Sequence, residues 1–281
     1  MLSYRHAFHA GNFADVLKHI VLCECLQHFV KKDKAFIYID THAGAGLYAL
    51  HTEEADKLGE YRDGIGKLQS NNWPELAAYF NALQSYNADD QLAFYPGSPA
   101  LALKYLRPQD QAWLYELHPQ DFSALKKFTD KYRQVFVHNR DGLEGLLAVV
   151  PPKSRRGLIL IDPSYEVKTD YHQVIDSLVK AYRKFTTGTY LVWYPVVERQ
   201  NIRRMENALI AAAIPDVQQF ELGIQADTHG RGMTAAGLFV INPPWKLFEK
   251  MGILLPKLAK AFSKGKESVY KCEILAREKA D

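Results

Sequence analysis

Apolar positions along the chain alternate between two spacings. Phe13, Val16, Leu17, Ile20 and Val21 recur every three or four residues, which sets them on one face of a helix. Asn12 precedes them and Asp15 follows three residues on, a start signal of the capping-box kind. Phe36-Ile37-Tyr38-Ile39 is then a short continuous apolar run, read as a buried strand that enters Asp40-Thr41-His42-Ala43-Gly44-Ala45-Gly46. From about 50 to 95 the spacing is helical again, at Leu58, Tyr61, Ile65 and Leu68 and then Leu76, Phe80 and Leu83. With no strand pattern there, the segment reads as a helical insertion, 50–95, in one domain spanning 1–281. Pro96-Gly97-Ser98-Pro99 restarts the main pattern, with Ser98 read as a helix N-cap and Pro99 in the first turn. Strands are then predicted at 112–115, 135–137, 157–161 and 190–193, alternating with helices at 122–132, 142–149, 170–185 and 198–213. Two last strands, 217–224 and 236–241, are joined by a glycine-bearing loop and read as an antiparallel hairpin at the sheet edge. Such alternation implies a mostly parallel sheet with helices on both faces, seven strands in all.

Composition narrows this picture only slightly. At 281 residues and 47% hydrophobic, the chain can bury one large α/β core. No run of roughly 18 apolar residues occurs, so no membrane-spanning helix is expected. The N-terminus lacks a signal-peptide core. Cys23, Cys25 and Cys272 form neither a CxxC pair nor an even framework, which suits a reducing cytoplasm. Net charge is only +3. Basic residues do gather at Lys153/Arg155/Arg156, Arg199/Arg203/Arg204 and Lys257/Lys260/Lys264/Lys266, patches that are either solvated faces or phosphate contacts.

The chemistry concentrates where strands end. Gly157-Leu-Ile-Leu-Ile161 runs into Asp162-Pro163-Ser164-Tyr165, and polar residues at that end of a buried strand lie on the ligand-binding edge of an open α/β sheet. The tetrapeptide resembles the Asp/Asn-Pro-Pro-Tyr/Phe motif of methyltransferases that modify exocyclic amino groups, with Ser164 in place of the second proline. Such an amine is a poor nucleophile, its lone pair being delocalised into the ring. A carboxylate and the Pro163 carbonyl can each accept one of its N–H bonds and aim the lone pair at a methyl group, while Tyr165 offers a face for stacking. Taken alone, the motif fits a polar turn closing a strand equally well. Asn242-Pro243-Pro244-Trp245 matches almost as closely, but its place late in the chain makes it the exit of an edge strand.

Gly44 and Gly46 with Ala49 satisfy a GxGxxG/A fingerprint, weak evidence alone. Glu116, at the tip of the second strand of the main sheet, suits ribose hydroxyls of either NAD or S-adenosylmethionine. Asp141 before Gly142 suits an adenine amino group, and Asp162 suits an acceptor amine that a dehydrogenase does not need. S-adenosylmethionine is therefore the expected cofactor. His6, His9 and His19 lack a matching carboxylate or thiolate set, so no metal is expected.

Met1-Leu-Ser-Tyr4-Arg-His6-Ala-Phe-His9-Ala-Gly-Asn12, Asp15-Val-Leu-Lys18-His19, Asp40-Thr-His-Ala-Gly-Ala-Gly46, Tyr115-Glu-Leu-His-Pro119 and Gly232-Met-Thr-Ala-Ala-Gly237 carry a more specific resemblance. Together they resemble the bacterial 23S ribosomal RNA adenine-N6-methyltransferases that modify adenine 2030, over essentially the whole chain. The resemblance implies a Rossmann-like class I S-adenosylmethionine-dependent methyltransferase fold. It implies that His19, His42, Ser98, Glu116, Asp141, Gly142 and Asp162 contact the cofactor, beside Gly44 and Gly46 of the glycine loop. It further implies that Asp162 is catalytic, with Pro163 and Tyr165 beside it, and that Tyr4, His6 and Lys18 engage the RNA, Lys18 as a phosphate-seeking cation. The expected partner is 23S ribosomal RNA, naked or in an early assembly intermediate, bound by a cytoplasmic monomer with no membrane. A DNA adenine-N6-methyltransferase, a silent nucleic-acid-binding protein on the same fold and, least favoured, a protein-glutamine methyltransferase are the rival readings.

Overall fold

The structure is a computed structural model that describes residues 5–88, 91–228, 232–265 and 268–276. A 3-10 turn at His6–Phe8 leads to α1, Phe13–Val30. The Asn12 side chain accepts the N–H groups of Ala14 and Asp15, as an N-cap should. Asp15 reaches back to the Gly11 N–H rather than to that of Asn12, so the capping box is displaced by one residue. Fourteen residues of α1 are buried, including Asp15, Lys18 and His19. A helix apolar nearly all round is a core helix, and its few charged groups need internal partners.

After β1 (Ile37–Asp40), β2 (Leu47–Ala49) pairs antiparallel with β3 (Phe94–Pro96). Between those two strands the chain is helical, with α2 (Glu53–Leu58), α3 (Glu60–Asp63), α4 (Ala77–Gln84) and three 3-10 turns. The short strand pair was not legible in the sequence, since three-residue strands carry too little alternation to register. The rest alternates as expected: α5 (Ser98–Tyr105), β4 (Gln111–Tyr115), α6 (Pro119–Thr129), β5 (Val135–His138), α7 (Gly142–Val149), β6 (Gly157–Ile161), α8 (Asp170–Lys184), β7 (Thr189–Val196) and α9 (Arg199–Ala211). β8 (Val217–Gly223), β9 (Ala235–Ile241), α10 (Leu247–Phe262) and β10 (Val269–Ala276) follow.

Eight strands form the main sheet in the order β10-β8-β9-β7-β6-β1-β4-β5. β5, β4, β1, β6 and β7 are parallel, and β9, β8 and β10 are added antiparallel. The count exceeds the expected seven because Val269–Ala276 pairs with β8. The β8–β9 hairpin therefore lies inside the sheet, and β9 is flanked by β7 and β8 rather than exposed at an edge. β10 is not counted in the sheet from the sequence because it is a half-exposed edge strand whose apolar positions do not alternate cleanly.

The sheet separates two cores. Leu158 and Leu160 of β6 face one, with α1 and α10, while Ile159 and Ile161 face the other, with α8 and α9. Burial on both faces is why this strand reads as an unbroken apolar run. From β1 the chain winds to β4 and β5 on one side and returns to β6 and β7 on the other, so the crevice of a doubly wound sheet opens at the carboxyl ends of β1 and β6. Asp40, Glu116 and Asp162 all emerge there. Among the described residues no helix is long and apolar enough to cross a membrane.

Candidate active site

A cavity of about 480 Å³ occupies that crevice. One of its sides is built from the turns after β1 and β4. Gly44 (φ +61°) and Gly46 (φ +84°) adopt left-handed conformations that a side chain would strain. The turn they form brings the Gly44 N–H to 2.8 Å from Glu116 Oε2, and the His118 N–H binds Oε1 at 2.7 Å. Burial nevertheless raises the Glu116 carboxyl above its ordinary value, with these two donors opposing it. Ser98 Oγ donates to Asp40 Oδ2 at 2.7 Å, as does the Tyr38 hydroxyl. Ser98 is therefore the first residue of α5 and no N-cap; Gly97 holds the cap position. The buried Asp40, which the sequence reading passed over, ties β1 to α5.

Two histidines of this wall are held neutral. Burial pushes His42 down to about 4, against the opposing charge of Asp141. Burial also holds His19 well below its ordinary value; Nδ1 shares a 2.8 Å hydrogen bond with the Tyr95 hydroxyl, and Nε2 is buried with no hydrogen-bond partner among the described residues. His19, His42, Gly44, Ser98 and Glu116 all line the cavity. Gly46, Asp141 and Gly142 do not. Asp141 caps α7 through the N–H groups of Leu143 (2.8 Å) and Glu144 (3.0 Å). Gly142 lets that helix start against β1, where a Cβ would sit 1.9 Å from the Thr41 carbonyl oxygen.

The opposite wall is a chain of charges. Lys18 Nζ lies 2.6 Å from Asp162 Oδ2 and 2.8 Å from Asp15 Oδ1, and His6 Nε2 lies 2.9 Å from Asp15 Oδ2. Burial raises Asp162 to about 6, with Lys18 opposing. Burial acts on Asp15 in the same direction, but His6 and Lys18 more than offset it and hold that carboxyl well below its ordinary value. Burial would lower Lys18, yet its two carboxylates raise it, so it stays a cation. Only 5% of its side chain is exposed. Lys18, expected as a phosphate-seeking cation, is thus turned into the cavity, with its charge shared between Asp15 and Asp162 rather than offered to solvent.

Pro163, Ser164 and Tyr165 continue that wall. Tyr165 is left-handed (φ +52°), and its hydroxyl donates to the Trp193 carbonyl at 2.6 Å. Tyr171 and Trp193 brace its ring, with centroids 4.5 and 5.9 Å away. Tyr4 lies outside the described residues. Asp15 and Trp193 line the cavity without having been singled out as site residues. An acid three residues before a lysine on an apolar helix was the available signal for the first, and nothing in the strand pattern marked the second. Asn242 lies away from this cavity, because β9 runs antiparallel and ends where β6 and β7 begin. Among the described residues no group of three or more His, Cys, Asp or Glu could hold a metal ion.

Known proteins share this architecture. The family model described as ribosomal RNA large subunit methyltransferase D, RlmJ, matches residues 33–273. A ribosomal RNA large subunit methyltransferase J of Escherichia coli K12 is 50% identical over 260 residues, covering 92% of this chain and 93% of its own. Its namesake in Haemophilus influenzae is 46% identical over 263 residues, covering 92% and 94%. The crystal structure of protein LPL1258 from Legionella pneumophila superposes with a TM-score of 0.85 at 37% identity, covering 95% of this chain and 98% of that one. Identity at this level over nine-tenths of the chain places the protein within the RlmJ family of ribosomal RNA large subunit methyltransferases.

Proposed function

We propose that this protein transfers a methyl group from S-adenosylmethionine to the N6 of a flipped-out adenine in 23S ribosomal RNA, adenine 2030 by resemblance, acting as a cytoplasmic monomer. The observation that carries the reading is Asp162-Pro163 emerging from a buried central strand into a cavity walled by Tyr165 on one side and by Glu116 and the glycine turn on the other. We take the chain to work as one methyltransferase domain whose helical segment 50–95 helps wall the site, through Glu60.

The cavity residues fit the cofactor. Glu116 offers a carboxylate at a strand tip, where vicinal ribose hydroxyls need acceptors. The unpartnered Nε2 of His19 is a buried polar atom awaiting a ligand. The neutral His42 adds no cation that would repel a sulfonium. Asp141 and Gly142 act from behind the wall, by setting where α7 begins. When bound, S-adenosylmethionine supplies a methyl group on positively charged sulfur.

The chain's own residues then handle the acceptor. The carboxylate of Asp162 and the carbonyl of Pro163 each accept an N–H of the exocyclic amine, which turns its lone pair toward the cofactor side. Lys18 holds Asp162 in place and keeps it ionised at neutral pH. The nitrogen becomes acidic as it attacks, so an ordinary carboxylate, or water beyond it, suffices to take the proton. Tyr165, locked by Trp193 and Tyr171, receives the unstacked base, and stacking worth about 1–3 kcal/mol offsets part of the flipping cost. His6 extends the same wall toward the RNA. Ser164 leaves the acid, the first proline and the aromatic of the motif in place. The test is methyl incorporation into protein-free 23S RNA, digested and resolved by nucleoside: label in N6-methyladenosine supports the reading, and label elsewhere refutes it.

A further inference from the structure

The Asn242-Pro243-Pro244-Trp245 motif plays no part in the cavity just described. It lines a second concavity, of about 540 Å³, at the opposite end of the sheet, where β6 and β7 begin. Asn242 itself is committed to structure: its Nδ2 donates to the carbonyls of Thr186 (2.7 Å) and Gly188 (2.8 Å) and closes the end of β9 onto the start of β7. This clamp leaves Trp245 projecting, 76% exposed, with Lys246 Nζ 4.6 Å from its ring centroid.

The same concavity is lined by Lys32, Lys34, Arg155 and Arg156, and no carboxylate lines it. Arg156 is spent on the carbonyls of Phe29 and Lys34. Among the described residues Lys32, Lys34 and Arg155 enter no ion pair. His28, also in the wall, is held below its ordinary value by burial and then by Lys31, Lys32 and Arg156, as expected where positive charge is unbalanced. In a chain of net charge only +3, this is local segregation of cations. An acidic peptide would use the cations and leave the indole bare, whereas a single-stranded nucleic acid uses both a flat ring and a set of cations.

We propose that this concavity is a second RNA-binding site, in which a base of a single-stranded segment stacks on Trp245 while Lys32, Lys34 and Arg155 hold its phosphates. The identification of the strand as substrate RNA rests on the function proposed above. About 17 Å of strand, from Gly157 to Asp162, separates the two ends of the sheet, so one RNA can touch both.

Fluorescence titration of the full chain with a uridine decamer tests the site without reference to activity. Saturable quenching that disappears in Trp245→Phe is expected. The double variant Lys32→Ala/Arg155→Ala should weaken binding about tenfold or more and flatten the slope of log K against log salt by roughly 1.4. On 23S RNA, Trp245→Ala should raise KM about tenfold with kcat unchanged. Equal quenching in Trp245→Phe, which would put the bound strand at another tryptophan such as Trp193 of the active-site cavity, would overturn the proposal, and so would equally tight binding of an oligoglutamate or of inorganic polyphosphate, the mark of a general anion surface. Wild-type KM in Trp245→Ala together with absent quenching would overturn it while leaving the methyltransferase reading intact. Quenching with no methyl transfer by the wild type would do the reverse.

Discussion

At the scale of single residues, the site turns on how Asp162 is kept ionised inside the protein. Burial lifts it to about 6, and Lys18 limits the rise. If the carboxylate is the active form, kcat/KM should be flat above neutrality and fall tenfold per pH unit below about 6. An unperturbed aspartate would place that limb near 4. Lys18→Met removes the opposing cation, so the limb should move above 6 while kcat at pH 8 falls. That variant also leaves Asp162 buried without its partner, while Asp15 keeps His6 and the Gly11 N–H, a loss of about 3–5 kcal/mol. Because protonation relieves unpaired carboxylates, the fall in Tm should be larger at pH 8 than at pH 5; equal losses at both would contradict the pairing. Asp162 was legible in the sequence as the acid that ends a buried apolar strand; Asp-Pro there fits a polar turn equally well, and only the acids and glycines at the neighbouring strand ends single it out. The burial of Lys18 was not, since a lysine on a helix gives no sign of facing inward until the fold brings up Asp162 from 144 residues away.

At the scale of elements, two local devices set the walls of the cavity. Asn12 caps α1 through two N–H groups, and Asn12→Ala should cost about 1 kcal/mol in denaturant unfolding, with the m-value unchanged. Gly142 allows α7 to start in contact with the Thr41 backbone, and the Cβ of Gly142→Ala would overlap that carbonyl. We expect a loss of about 1–3 kcal/mol from overpacking, and, on the function proposed above, S-adenosylmethionine affinity weakened more than RNA affinity, because the displaced Thr41–His42 turn lies on the side assigned to the cofactor. Calorimetric titration of both ligands would check the asymmetry. α1, β6 and β7 were readable because they are buried over nearly their whole length, and β4 and β5, only partly buried, because their short apolar runs stand between helical segments. Ser98 looked like a cap because serine before proline usually is one. Only the arrival of Asp40 from β1 shows why its hydroxyl is engaged elsewhere.

For the whole molecule, the mostly parallel sheet with helices on both faces was readable because strand–helix alternation leaves few topologies open. The antiparallel end was harder. β10 is half exposed, and its place beside β8 depends on a partner distant in the chain. That placement moves the β8–β9 hairpin inward, while the antiparallel run of β9 takes the Asn-Pro-Pro-Trp motif to the far end of the sheet, away from the crevice at the carboxyl ends of β1 and β6. Two motifs nearly alike in letters are thus separated by topology alone: Asp162 opens into the cavity of charges, and Asn242 serves as a clamp. On the function proposed above, Asp162 orients an adenine N6 for methylation. The most direct test of that role is transfer of labelled methyl from S-adenosylmethionine to protein-free 23S RNA from a strain lacking this gene, comparing wild type with Asp162→Ala. Label in N6-methyladenosine is expected for the wild type, and none for a variant that still binds the cofactor, though more weakly. Transfer by Asp162→Ala at the wild-type rate would contradict that role.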